Sequence, residues 1–267
     1  MPQRNVFFFL FFVMLCLLGI ADERFSDSDI QWILDQYQVS EPVSLIPAEG
    51  FAGWTTHEGK EKPRWSNQKG QLVLDRADRS RHIPEGDFLI DRQYTNFVFD
   101  FVWVATQGCN SGIKYRLKDF GEAGAKANNK TFSWLGNEYQ ILDDANHVEG
   151  NKGDGRWSTA SLYYILAPDK AKKHLNPHGH ANTGRIIVLD NHIEHWLNGK
   201  KVLQYEVGSE IWKNSIEQGK FATVEGFGEN PTGFIMLQDH GDAIIFEKIV
   251  IREIVGKKKQ IDLPPSS

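Results

Sequence analysis

An all-β sandwich is the fold this sequence predicts, and three observations predict it. About eleven short runs rich in Val, Ile, Phe, Leu and Tyr are separated by clusters of Gly, Asn, Asp and Pro. Two of those runs, in "HIEHWLNGKKVLQYEV", flank Asn198-Gly199, the dipeptide that best closes a two-residue hairpin. Only two stretches place apolar residues at helical spacing. No repeat of fixed period and no Pro-rich or Ser-rich linker divides the chain, so one globular domain is expected.

The elements follow in order. Residues 1–21 begin with one Arg, continue through an apolar run from Val6 to Leu18 and end in Gly19-Ile20-Ala21, which reads as a secretory signal peptide. The run is short for a bilayer span and is followed at once by Asp22, Glu23 and Arg24, so a soluble exported protein, periplasmic or secreted, is expected, with no stable membrane insertion after cleavage. Residues 22–44 carry "SDSDIQWILDQYQ", an amphipathic helix with Ser26 or Ser28 as its cap. From 45 to 256 the strand signals run "GQLVLD", "GDFLID", "TNFVFDFVWVA", "SGIKYRL", "NEYQIL", "TASLYYIL", "GRIIVLD", "HIEHWL", "KKVLQYEV", "GFIMLQ" and "DAIIFEKIVIREI". The second helix candidate, "SEIWKNSIEQGKFA", has Ser209 as its cap, and residues 257–267 form a tail.

Composition removes several function classes. The formal charge of −5 becomes −6 when the signal leaves with Arg4, so a basic groove for nucleic acid is not expected. Only Cys109 remains after cleavage, which excludes an intramolecular disulfide. The sequence has no H-E-x-x-H, nucleophile elbow, phosphate-binding glycine loop or dinucleotide fingerprint. His174, His178 and His180 have a spacing that can chelate metal, but in a Pro- and Gly-interrupted loop that reads as exposed. No cofactor is therefore assigned, with a divalent metal as the alternative.

The candidate site comes from polar residues on strands that elsewhere carry apolar ones. Side chains alternate between the two faces of a strand, so Glu138 and Gln140 share one face, Asn110, Lys114 and Arg116 another, and Gln238 alternates with Leu237. A sandwich with one polar concave sheet would bring them together. Glu138, His240 and Arg116 are the catalytic candidates. Asn110, Lys114, Gln140, Asp143, Tyr163, His195, Trp196 and Gln238 are the candidates for holding substrate, with Trp134 also suited to an aromatic sugar platform. Alternatives stay open: Arg116 paired structurally to Glu138, His240 bonding backbone in a turn, and Asp143 satisfying turn amides.

The motifs "GCNSGIKYRL", "EYQILDD", "ASLYYILAPDK", "NTGRIIVLDNHIEHWLNGKKVLQYE" and "GFIMLQDHGDAIIFEKIVIREI" resemble, in order and spacing, the bacterial 3-keto-disaccharide hydrolase domain family. The resemblance implies a concanavalin A-like jelly roll with carbohydrate on its concave sheet, and an exported protein of glycan catabolism. It implies chemistry on 3-keto-glycosides: a base removes the C2 hydrogen acidified by the C3 ketone, the enolate expels the C1 substituent, and water adds back. Glu138, His240 and Arg116 or Lys114 would share those duties. The alternative is a non-catalytic carbohydrate-binding domain on the same fold.

Overall fold

The run Phe97 to Ala105, apolar except for Asp100, is buried along nearly its whole length, as a strand sandwiched between covered faces must be. The structure, a computed structural model, describes residues 24–56, 64–77, 86–128 and 132–258. The expected signal and most of the expected tail lie outside the described residues. After a 3₁₀ turn at Asp27–Ile30 come α1 (Gln31–Gln36), β1 (Tyr37–Val39), β2 (Val43–Ser44), β3 (Trp54–Thr56), β4 (Trp65–Asn67) and β5 (Leu72–Leu74). Then follow β6 (Phe88–Tyr94), β7 (Phe97–Ala105), β8 (Asn110–Asp119), α2 (Gly121–Ala127) and β9 (Trp134–Leu142). The chain continues with β10 (Ala181–Leu189), β11 (His192–Leu197), β12 (Lys200–Glu206), α3 (Glu210–Glu217), β13 (Gly233–Leu237) and β14 (Ile244–Lys257).

These strands make two antiparallel sheets. The larger runs β12-β11-β10-β7-β14-β5-β4, with β1 and β2 also pairing β14; the smaller runs β3-β6-β13-β8-β9. Alternation puts Phe97, Phe99, Phe101 and Trp103 of β7 into the core between the sheets, where they meet Ile113, Tyr115, Tyr139 and Leu237 from the smaller sheet. The Tyr139 ring stands edge-on to Phe101 at 5.1 Å, a favoured aromatic geometry. Cys109 is buried, and burial pushes its thiol up to about 12, so it behaves as a small apolar core residue.

The outer face of the larger sheet is covered by the N-terminal segment. Ile30 and Ile33 pack there on Val98, Ile187, Leu189 and Ile254. Each fully buried isoleucine contributes about 1.5–3 kcal/mol. Ser26 caps the 3₁₀ turn by accepting from Ser28 N–H at 3.2 Å, and below it Arg185 donates from Nε to Asp100 across β10 and β7 at 2.6 Å. The sheet therefore starts earlier than the expected boundary at residue 45, because β1 and β2 add to β14.

Two sequence expectations differ from the structure. "TASLYYIL" is not a strand: only the isolated bridges Tyr139↔Leu162 and Leu162↔Leu166 form. Ala160 (φ +66°) and Tyr164 (φ +69°) take left-handed conformations that break an extended run at both ends. The segment Gly121–Ala127 forms a helix, α2, that its two glycines concealed, although Glu, Lys and three alanines favour one. The expected helix after Ser209 is present as α3, its cap accepting from Trp212 N–H at 3.3 Å.

Candidate functional site

The side of β8 and β9 turned away from the core is the polar face that the alternation predicts, its side chains lying at the bottom of a cleft. Their register sets Lys114 opposite Glu138 and Gly112 opposite Gln140, while Met236 of β13 lies beside Lys114. Same-face positions along neighbouring strands converge. The result is a cleft of about 260 Å³ lined by Asn110, Lys114, Glu138, Gln140, Tyr163 and Lys220, with Gln238 and His240 at its β13 end and Ala127 and Asn128 from the end of α2. Seven of the eleven predicted site residues meet here: Glu138, His240, Asn110, Lys114, Gln140, Tyr163 and Gln238.

Glu138 is 8% exposed, and its carboxylate leans over Gly112. A Cβ at residue 112 would stand 2.6 Å from Glu138 Oε1, so glycine there makes the room that the carboxylate occupies. The Gln140 amide, oriented to suit its neighbours, donates to Glu138 Oε1 at 3.1 Å and to the Ser111 carbonyl at 3.0 Å, and lies 3.2 Å from the Asn110 amide. Lys114 reaches the cleft past the Phe132 ring, its Nζ 5.3 Å from the ring centroid.

The wall beyond β9 is the long segment between β9 and β10. It is tied to β9 by Tyr163 N–H donating to the Glu138 carbonyl at 3.0 Å and Ala160 N–H donating to the Gln140 carbonyl at 2.8 Å. Burial, and then the charges of Glu138 and Glu149, push the Tyr163 phenol up, so it stays a hydroxyl donor. At the opposite end, His240 sits in a turn that two buried carboxylates hold. Asp239 accepts from Gly241 N–H at 2.9 Å and pairs with Arg64, while Asp242 accepts from Asn110 N–H at 3.1 Å and pairs with Arg76 at 3.1 Å.

Four predicted residues lie elsewhere, each for a physical reason. Arg116 adopts φ +52° in a bulge of β8, where two residues, Arg116 and Leu117, stand against Gly136. The bulge resets the alternation: Leu117, not Arg116, joins Leu89, Phe132 and Met236. Arg116 is buried instead beside Tyr115 and Tyr205 and donates to the Asp190 carbonyl, so it does not pair with Glu138. Gly136 and Gly233 permit this, since a Cβ at either would lie 2.5 Å from the backbone of the bulge.

His195 is wholly buried between the sheets, and burial lowers its imidazole to about 4. It is therefore neutral; the Ala160 carbonyl can only accept, so Nδ1 donates to it at 3.1 Å and Nε2 accepts from the Tyr115 hydroxyl at 2.7 Å. Trp196 is on the outer side of the larger sheet, donating to Glu194 at 2.7 Å. Asp143 is a turn residue that accepts from Gly108 N–H and from the Asn146 amide, both at 2.8 Å.

Lys220 is the charged cleft residue that sequence reasoning missed, along with Ala127 and Asn128 at the end of α2. Lys220 follows α3 in a loop without strand alternation, and its ammonium lies 5.0, 5.6 and 4.8 Å from the ring centroids of Tyr163, Tyr164 and Phe221. The Lys-Phe pair after Gly219 is the only local signal, and it resembles many surface turns. Among the described residues, no group of three or more His, Cys, Asp or Glu side chains is placed to share a metal ion. No helix among them is long and apolar enough to cross a membrane.

Comparisons with known proteins bear on this geometry. The family model of 3-keto-alpha-glucoside-1,2-lyase-like domains matches residues 41–252. A 3-keto-disaccharide hydrolase of Bacteroides thetaiotaomicron is 27% identical over 229 residues, covering 79% of this chain and 77% of the relative. The crystal structure of a candidate glycosyl hydrolase from Parabacteroides distasonis is 28% identical with a TM-score of 0.66, covering 80% of this chain and 94% of that one. A second from the same organism, 24% identical with a TM-score of 0.54, covers 80% and 99% and shares the fold.

Proposed function

Because the chain belongs to the family of 3-keto-alpha-glucoside-1,2-lyase-like domains, we propose that it cleaves the glycosidic bond of 3-keto-glycosides by proton abstraction and elimination. One observation carries this reading: among the described residues lining the cleft, Glu138 is the only carboxylate, and Lys114 stands opposite it. Ordinary glycosidases need two carboxylates flanking the scissile bond. A ketone at C3 changes the requirement, because it acidifies the C2 hydrogen and leaves an enolate that a fixed cation can stabilise.

Each group then has a task. Glu138, seated over Gly112 and oriented by Gln140, removes the C2 proton. Lys114 stabilises the enolate oxygen alone, because Arg116 is buried away from the cleft. His240, at the β13 end of the floor on the same side as Lys114, exchanges the proton of that oxygen. The amides of Asn110, Gln140 and Gln238 hold the sugar hydroxyls. The electrons of the C2–H bond become the C1=C2 bond as the C1–O bond breaks, and water adding across C1=C2 completes a net hydrolysis. The expected leader places this chemistry outside the cytoplasm.

The test is an assay of purified protein on 3-keto-glucosides, with the unoxidised glucosides as controls and D₂O as solvent. Turnover of the keto-sugars alone, with deuterium entering at C2, supports the reading. Equal turnover of the unoxidised glucosides, or release of product without deuterium at C2, would sink it. Sugar binding without turnover of either would point to a carbohydrate-binding domain.

A further inference from the structure

Elimination also needs an acid at the departing C1 oxygen, and we infer that Lys220 is that acid, an assignment that rests on the proposed keto-glycoside chemistry. The strand order supplies the argument. His240 follows β13, Lys114 is on β8, Glu138 is on β9, and the Tyr163 segment with Lys220 lies past the edge of β9. Carbons C3, C2 and C1 are consecutive in a pyranose. A ring whose C2 hydrogen meets Glu138 and whose C3 oxygen meets Lys114 therefore turns C1 away from β8, toward the wall that holds Lys220.

The two lysines differ in a way that fits these ends. Lys114 is buried in the floor, 6% exposed, where an enclosed ketone can rest on it. Lys220 is exposed at the rim, where a leaving group of any size has room to extend and depart. Its ammonium is held against the faces of Tyr163, Tyr164 and Phe221, so a flexible side chain is kept in one place. Crowding by the cleft walls lowers it to about 8, against the pull of Glu138 and with the push of Lys114. Its exposed side and the ring faces favour the cation, so it is protonated at neutral pH and a stronger acid than an ordinary lysine.

The step balances. As Glu138 takes the C2 proton, the C1–O bond breaks, its electron pair goes to the oxygen, and Lys220 gives that oxygen a proton and becomes an amine. In the hydration half, the amine takes a proton from the water that attacks C1, and Glu138, its acid proton exchanged with solvent as the aglycone leaves, gives a proton to C2. Both groups end as they began, with one water consumed.

The experiment compares wild type, Lys220→Met and Lys220→Arg on two 3-keto-glucosides, one with a 4-nitrophenoxide aglycone and one with a methoxide. Nitrophenoxide leaves without a proton; methoxide does not. Read in single turnovers as the rate of aglycone release, which precedes the hydration half, Lys220→Met should lose at least about a hundredfold on the methyl glycoside and under about threefold on the nitrophenyl one. Lys220→Arg, which keeps the charge and the ring contacts but cannot release a proton at these pH values, should behave the same way. Wild-type kcat on the methyl glycoside should fall as pH rises through about 8, a limb that both variants lack. Equal losses on both substrates, or full activity in Lys220→Arg on the methyl glycoside, would overturn the assignment. Failure of the wild type on both substrates would instead overturn the keto-glycoside reading itself.

Discussion

Glu138 and Glu194 stand in strands with nearly the same polar-apolar pattern, "NEYQIL" and "HIEHWL", yet they serve different ends. Glu194, on the outer side of the larger sheet, is enclosed by donors from its own neighbourhood: His192 Nε2 at 3.1 Å, Trp196 Nε1 at 2.7 Å and Lys201 Nζ at 2.9 Å. Its negative charge is used up in holding three side chains. Glu138 looks across a cleft wide enough for a sugar, with a glycine beneath it and lysines on two sides. An acid on a polar strand face becomes available for chemistry when the fold leaves space above it, and the alternation of a single strand says nothing about that space.

Exchanging each acid for its amide breaks the comparison most sharply. Glu138→Gln should lower turnover of a 3-keto-glycoside by at least about a thousandfold with the melting temperature nearly unchanged, because it removes the proposed base and keeps the shape. Glu194→Gln should leave kcat within about twofold and cost about 1–3 kcal/mol of stability, since an amide cannot satisfy three donors. Parallel kinetics and urea unfolding of both variants measure this. The contrast fails if Glu194→Gln loses activity while keeping its stability, or if Glu138→Gln stays active.

A smaller loss is expected from crowding the carboxylate without removing it. In Gly112→Ala, a methyl 2.6 Å from Glu138 Oε1 forces the carboxylate aside. A displacement approaching 1 Å costs on the order of a hundredfold in rate. KM for the keto-sugar should change far less than kcat. An unaltered kcat would show that the carboxylate does not need this seat.

The same contrast explains what could be read from the sequence. The strands of both sheets were legible because Val, Ile and Phe recur with period two or in continuous runs, and the floor of the cleft was legible because Glu138, Gln140, Lys114 and Asn110 interrupt that pattern. Arg116 was misplaced because a bulge shifts the period by one residue, and its signal, glycines at 136 and 233, lies on the neighbouring strands. His195 was misplaced because a histidine on an apolar face can be satisfied inside the core, here by Tyr115 and the Ala160 carbonyl. Lys220 and the His240 turn depend on loops, where no periodicity operates.

His195 gives a stability test of its buried assignment. Its imidazole sits near 4 in the fold against about 6.5 in the unfolded chain, so the unfolded state binds the proton first as pH falls. The stability that neutral His195 contributes is therefore complete above about pH 6.5 and is lost progressively down to about 4, on the order of 3 kcal/mol. His195→Gln should be less stable at pH 7 but should shed that much less between pH 6.5 and 4. Matching slopes for the two proteins, followed by urea unfolding at each pH, would place His195 outside the buried network.

The smallest effect is expected at Arg116, the residue that alternation alone assigned to the cleft. It is almost wholly buried, donates to the Asp190 carbonyl, and its Nε and Nη1 meet no hydrogen-bond acceptor among the described residues. Burial lowers its guanidinium, with Tyr205, Tyr115 and Asp190 pulling the other way. A buried cation so thinly compensated adds little net stability, and an unbranched apolar side chain of similar length often replaces one at no cost. Arg116→Met should keep kcat on a 3-keto-glycoside within about twofold of wild type, with stability shifted by under about 2 kcal/mol in either direction. Lys114→Met, removing the cation that does line the floor, should lose activity in the same assay. A folded Arg116→Met protein with a hundredfold loss in kcat would return Arg116 to the mechanism and show that the bulge rearranges when substrate binds.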